Sequence, residues 1–265
     1  MFSEIGFQFS MRMERGDPAE FFAPTESHSE LLGERSRWLT EDEAACAALL
    51  PDGEPLLAET WTLARQWGLE ADAMATASDC RSSLLGLARA WEPDFLLLKP
   101  VDGAMPVLLG GSVCFPSSWS LQEKMGKSID RIHEVVPGLN EAIGGKVRNF
   151  LNRLRPGVAW LRSNWGLSRS PELNQHPKRD LPRLMHDTPM EAVWVRVERQ
   201  ALVSLSSSGG TLFGIRVESM PLSEIKNDEP ASIGLASELS TMPESMAAYK
   251  NIHRLRWRIV EWLKA

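Results

Sequence analysis

The sequence predicts an α+β protein. It should hold one antiparallel sheet with helices packed on one face, extended by an N-terminal helical layer and a C-terminal helix. Three observations predict it. Residues 29–91 carry apolar residues at helical spacing, interrupted by short turn signals. Residues 94–115 and 158–220 hold five strand-like runs, grouped as two and then three. The stretch between the two groups is helical again. Two hairpin-like groups flanking a helical insertion suit one antiparallel sheet.

Composition bounds the rest. The chain has 265 residues, enough for one large domain or a domain with a helical extension. The expected divisions are 1–91, an N-terminal strand and helical extension; 92–222, the sheet core; and 223–265, a linker and C-terminal helix. The balance of 29 basic against 35 acidic residues gives a formal charge of -6. With no basic stripe, nucleic acid is not an expected partner. The densest basic cluster, Arg148, Arg153 and Arg155, alternates with core residues of one helix and reads as a solvated face. Cys46, Cys80 and Cys114 are too far apart for zinc or iron–sulfur ligation and read as buried free thiols in a reducing compartment. The first residues lack a signal-peptide pattern, and no apolar run has the length a bilayer needs. A soluble, cytoplasmic protein without a membrane partner is expected.

In chain order, Gly6 to Met13 alternates apolar and polar residues, as a half-buried strand does. Helical pieces follow at Leu31 to Leu39, Ala44 to Leu50, Leu56 to Trp67 and Leu84 to Trp91. Asp94 to Lys99 and Val107 to Phe115 read as strands joined across an Asp102-Gly103 hairpin signal. Trp119 to Gly138 reads as one helix opened by a Ser120/Glu123 capping box. Leu121, Met125, Ile129 and Ile132 share a face of it, and His133, four residues past Ile129, falls on that face. Leu139 to Leu154 forms a second striped helix. Val158 to Leu167, Ala192 to Leu205 and Thr211 to Met220 are the last three strands, the final two joined by Ser206 to Gly210. A polar, proline-rich loop spans Arg169 to Glu191. Ser223 to Ser240 is weakly patterned. A last helix with a Thr241/Glu244 capping box runs to about Leu263.

The order of elements from residue 94 matches a PAS-type sheet, which holds ligands between its concave face and its helices. Sequence blocks sharpen this: Cys114-Phe-Pro-Ser-Ser-Trp119, Lys124-Met-Gly-Lys-Ser128, Ile132-His-Glu-Val-Val-Pro-Gly138, Arg162-Ser-Asn-Trp165, and Glu198-Arg-Gln200 with Gly214-Ile-Arg216. In content and order they resemble the heme-dependent oxidative N-demethylase alpha-subunit-like family. The resemblance covers roughly residues 92–220 and the strand near the N-terminus; the N-terminal helical region and the tail match poorly. The last block departs from the family's pattern, with Ala201 and Gly214 standing where threonines are expected.

The resemblance implies a PAS-like core, within 92–222, that binds heme b on a histidine. It implies an oxidoreductase of the monooxygenase type, which uses dioxygen to turn a small secondary amine into a primary amine and formaldehyde. Electrons are implied to come from NADPH through FMN and a 2Fe-2S centre. This chain has no Gly-x-Gly-x-x-Gly loop and no cysteine cluster, so the reductase is expected to be a separate component. A homodimer is compatible with this reading.

Several residues carry that expectation. Taken alone, His133 is a satisfied core histidine; its block makes it the axial metal ligand, with Met125, Ile129 and Val135 supplying an apolar surround. His28, His176 and His186 lie in polar, loop-like segments, and His253 at the edge of the last helix's stripe. Trp165, Phe213 and Ile215 are expected around the cofactor. Arg162 and Asn164 are read either as ordinary strand residues or as donors that stabilise charge developing on dioxygen. Glu198 and Arg216 lie opposite the apolar faces of their strands. They are either a cross-strand ion pair or, if that face lines the pocket, the anchor for an alkylammonium and the group that polarises oxygen. Glu218 is a weaker carboxylate candidate. The alternatives to an enzyme are a PAS-type heme or gas sensor and a heme-less structural subunit.

Overall fold

The computed structural model describes residues 2–70 and 79–265. Its sheet contains β1 (Glu14–Gly16), β2 (Ala47–Leu49), β3 (Asp94–Lys99), β4 (Val107–Ser112), β5 (Ala159–Ser168), β6 (Trp194–Leu205) and β7 (Gly210–Pro221). Their order is β1-β5-β6-β7-β3-β4-β2, with every neighbour antiparallel. The fold is α+β, and the five longer strands are the ones the sequence predicts.

Both edges differ from expectation. Gly6 to Met13 is not a strand: the Phe7 N–H donates to Thr241 Oγ1 at 2.8 Å, and Phe9 and Met11 pack on helices. The edge strand is β1, just beyond, paired with Ala159 to Leu161. At the other edge only Glu43–Cys46 is helical, and β2 then pairs with Gly110 to Ser112. Gly110 makes room for this contact, since a Cβ there would lie 2.5 Å from Leu49 Cδ1.

The helices number α1 (Pro18–Phe22), α2 (His28–Glu41), α3 (Glu43–Cys46), α4 (Glu54–Gln66), α5 (Cys80–Ala90), α6 (Leu121–Lys124), α7 (Ile129–His133), α8 (Leu139–Leu151), α9 (Leu222–Asn227), α10 (Glu229–Thr241), α11 (Glu244–Tyr249) and α12 (Arg256–Lys264). The weakly patterned stretch is thus α9 and α10. Their apolar residues are spread around the helix rather than striped, because α10 is buried on several sides. The last helix is two, α11 and α12, separated at Asn251, which takes a left-handed φ of 55°. Thr241 closes α10 instead of opening a capping box, and α11 starts after Pro243.

Register decides what each face sees. Directly opposed residues of an antiparallel pair share a face. Val197 opposes Glu218, and Glu198 opposes Val217. One face of β6 therefore carries Val195 and Val197 against α9 to α12, then exposed Arg199, then Ala201, Val203 and Leu205 in the cluster built by α1, α4 and α5. The other face carries Arg196, Glu198, Gln200 and Leu202, with Leu202 packed toward α7 and α8. The core helices α7 and α8 cover this second face, and the N- and C-terminal layers cover the first.

Ala201 and Gly214 oppose each other on the first face. A Cβ on Gly214 would sit 2.6 Å from Phe22 Cζ and 2.8 Å from Phe21 Cε1. The two small residues thus accommodate α1, whose Phe22 stacks on Trp67 and Trp91. Gly214→Thr is expected to destabilise the chain by about 1–3 kcal/mol through overpacking. The measurement is urea unfolding, and an unchanged midpoint would refute it.

One ion pair ties the N-terminal layer to the sheet. Arg35 on α2 is fully buried; it donates to Asp94 Oδ1 at 2.6 Å, to the Ala88 carbonyl at 2.8 Å and to Ser112 Oγ at 3.3 Å. Burial pushes the Asp94 carboxyl up. Arg35 and the backbone N–H groups of Cys114 and Phe115, at 2.7 and 2.9 Å, hold it in place. All three cysteines are free, but only Cys46 and Cys114 are buried; Cys80 is exposed at the start of α5.

Candidate functional site

The stretch from Trp119 to Gly138 is not one helix. Gly126 takes a φ of 72° and ends α6, and the following residues bond to β4: the Gly126 N–H donates to the Leu108 carbonyl at 2.8 Å, and the Leu108 N–H to that of Lys127 at 3.0 Å. Ser120 makes no side-chain cap. The chain then re-enters a helix as α7, with His133 its last residue. Despite the break, Met125, Ile129 and Ile132 pack into the core as the periodicity predicts, whereas Val135 is 56% exposed and walls nothing.

His133 is half-buried, and its imidazole has no hydrogen-bond or ion-pair partner among the described residues. Burial, with Arg162 nearby, pushes its pKa down to about 4, so the ring is neutral at ordinary pH. His176 is also buried, although it lies in the expected loop. Its Nδ1 accepts from the Lys178 N–H at 3.2 Å, which leaves the proton on Nε2. In that tautomer His176 offers no free ring lone pair, whereas His133 does.

Glu198, facing the α7–α8 side, is held by neutral donors: Ser117 Oγ, Gln200 Nε2 at 2.9 Å and Asn164 Nδ2 at 3.4 Å. Ser117 in turn accepts from Arg196 Nε at 2.6 Å. The backbone beside it is unusual. Ser118 has a φ of 62°, fixed where its N–H donates to the Gln175 carbonyl at 3.1 Å. The polar 169–191 loop thereby folds over the site and positions the hydroxyl. Arg162, diagonal to Glu198 on the same face, has no hydrogen-bond or ion-pair partner among the described residues. Burial pulls its pKa down, and Glu198 opposes that shift. Lys250, from the end of α11, donates to the Trp165 carbonyl at 2.6 Å; burial lowers it, with Glu198 and Glu238 opposing.

The expected site residues divide between the two faces. His133, Met125, Ile129, Arg162, Asn164, Glu198, Phe213 and Ile215 belong to the α7–α8 side. Arg216 does not: it opposes Arg199, pairs with buried Glu92 and donates to the Phe21 and Ala23 carbonyls at 2.7 and 2.5 Å. No cross-strand pair with Glu198 exists, and Arg216 anchors α1 instead. Trp165 is likewise on the far face, where its Nε1 donates to Glu238 Oε2 at 2.7 Å. Glu218 is half-exposed beside Arg199 on that face. Ser117, Arg196 and Gln200 were overlooked. Arg196 and Gln200 alternate in phase with Glu198, and Ser117 lies in the Cys114–Trp119 block, so both signals were present; Lys250 comes from another layer and had none.

An open depression of about 640 Å³ lies at the β6–β7 hairpin end, lined by residues including Val101, Asp102, Arg148 and Thr211; it contains neither His133 nor Glu198. Among the described residues no group of three or more His, Cys, Asp or Glu side chains could hold a metal ion, and no helix is long and apolar enough to cross a membrane.

A neutral, unbonded imidazole lies on the same side of this α+β protein's sheet as a carboxylate and an unpaired guanidinium, a set of groups with the chemistry to hold a cofactor or ligand. The family described as Haem-dependent oxidative N-demethylase, alpha subunit-like, matches residues 58–260, and the chain belongs to it. The match begins within α4 and ends within α12, so it takes in helices that the sequence blocks left out. The family's description carries heme dependence, and an alpha subunit implies a system of more than one component.

The donor set fits heme. One imidazole lone pair is available, Met125, Ile129, Ile132, Phe213 and Ile215 supply apolar surface, and Arg162 and Lys124 are cations close enough to act on His133.

Proposed function

We propose that this chain holds heme b on His133 and oxidises a small secondary amine, with Glu198 as the ammonium's partner. The observation that carries this is His133 itself, a neutral imidazole without a hydrogen-bonding partner, on the side of the sheet that also presents Glu198. The central strand order β4-β3-β7-β6-β5 supports a PAS-like core. Bound heme supplies the activation of dioxygen. The chain's own residues supply the rest. His133 keeps its lone pair because burial disfavours protonation. Glu198 retains acceptor capacity beyond its three donors, since a carboxylate offers about four lone-pair sites. Arg162 places positive charge beside the reacting region, and the half-exposed side of Asn164 and Glu198 is the path from solvent. Electrons are assigned to NADPH through FMN and a 2Fe-2S centre on a separate reductase.

The test is an absorption titration of the purified chain with hemin. It should give a stoichiometric Soret band that shifts on reduction and on adding carbon monoxide, and NADPH alone should not reduce it. Absence of that band would eliminate the heme reading. Dimethylamine is expected to perturb the ferric spectrum, and Glu198→Gln to weaken the response about tenfold, or roughly 1.4 kcal/mol. Equal responses would leave Glu198 as a structural residue.

A further inference from the structure

Three cations surround Glu198, and two of them have a second carboxylate: Asp94 also acts on Arg196, and Glu238 on Lys250. Arg162, Arg196 and Lys250 all lie within its electrostatic reach. Arg196 is accounted for: besides Ser117 it donates to the Phe115 carbonyl at 2.6 Å and the Glu172 carbonyl at 3.2 Å. Lys250 has the Trp165 carbonyl. Arg162, half-buried, has no acceptor among the described residues, although a guanidinium carries five N–H donors. An unpartnered fork of this kind fits a planar, bidentate anion, for which carboxylate is the natural match.

We infer that the substrate is a secondary amine that also carries a carboxylate, of the N-methyl amino acid class, its ammonium on Glu198 and its carboxylate on Arg162. This rests on the amine-oxidation reading above. A simple dialkylamine would partner Glu198 and leave Arg162 bare; a zwitterion adds no net charge and partners both. The register supports the span. Arg162 opposes Gln200 and Asn164 opposes Glu198, so Arg162 and Glu198 are diagonal neighbours on one face, a separation of about 7–8 Å between backbones. That gap suits a short molecule with charges at its two ends. Asn164, exposed beside Glu198, leaves the approach open.

The experiment is calorimetric titration of the full chain, with and without hemin, using N-methylglycine and dimethylamine as probes. N-methylglycine is expected to bind at least tenfold more tightly. Arg162→Gln should remove that preference, and Arg162→Lys, which keeps the charge but loses the fork, should retain part of it. Equal binding of the two probes by the wild type would overturn the inference without any variant. Loss of hemin from Arg162→Gln would also overturn it, by assigning the guanidinium to the cofactor's own carboxylates. Selective N-methylglycine binding by a chain that takes up no hemin would uphold the anion site while refuting the heme reading.

Discussion

His133→Ala is expected to lose stoichiometric heme binding while the chain stays folded. The imidazole makes no hydrogen bond, so its removal orphans no buried partner, and alanine is a good helix former at the end of α7. The segment keeps its anchors, Ile129 and Ile132, which pack on the core independently of the histidine. The loss should therefore fall on the cofactor and not on the fold. Hemin titration followed at the Soret band, beside far-UV circular dichroism, separates the two. Added imidazole should restore part of the band by replacing the missing ligand. His176→Ala is the control: it removes a turn-capping acceptor and should leave the spectrum alone. A Soret band unchanged in His133→Ala would show that another group ligates the iron.

Arg35→Ala is expected to be the most damaging single change to stability. It leaves Asp94 buried beside an uncompensated cavity, and breaking a buried pair in this way costs about 3–5 kcal/mol. Total stabilities are typically about 5–15 kcal/mol, so the variant approaches unfolding. Arg35 also carries the contact between α2, α5 and the sheet, through the Ala88 carbonyl and Ser112. Replacing both partners by apolar residues should rescue little. The N–H groups of Cys114 and Phe115 would then lose the acceptor that Asp94 provides. Thermal melts decide the matter: a midpoint within about 2 °C of wild type would make the pair dispensable.

β6, β7 and α8 were legible in the sequence because each carries a sustained period, and β3 and β4 because a continuous apolar run and the Asp102-Gly103 signal mark them. The edges were not. β1 and β2 are three residues each, and their state is set by the partner they meet rather than by a pattern of their own. Gly126 hid in the same way: the apolar spacing of Met125, Ile129 and Ile132 runs through it as if the helix were continuous. Phase was the costlier ambiguity at the site. The valines of β6 and the Phe213-Ile215-Val217 set of β7 each look like a core face, and they are, but of opposite sides. The register pairs odd positions of one strand with even positions of the other. No single strand reveals this, because helices cover both faces. Arg216 was misplaced for that reason, while Glu198 and Arg162, on strands paired in a common phase, come together; Trp165 alternates with Arg162 and Asn164 on β5 and so faces the other way.

The sheet's connectivity also sets a timetable. β3 can pair with neighbouring β4 at once, but its other edge waits for β7, where Asp94 opposes Ile215, and β1 must wait for β5. A ribosome releasing this chain has therefore exposed α7 and its histidine well before β6 and β7 exist to face them. Closing such distant pairings carries a large loop entropy, which favours slow, late assembly. Pulsed hydrogen exchange during refolding should find the β3 amides that face β7 protected together with those of β7. Heme added at intervals during refolding should be captured only once that protection has appeared.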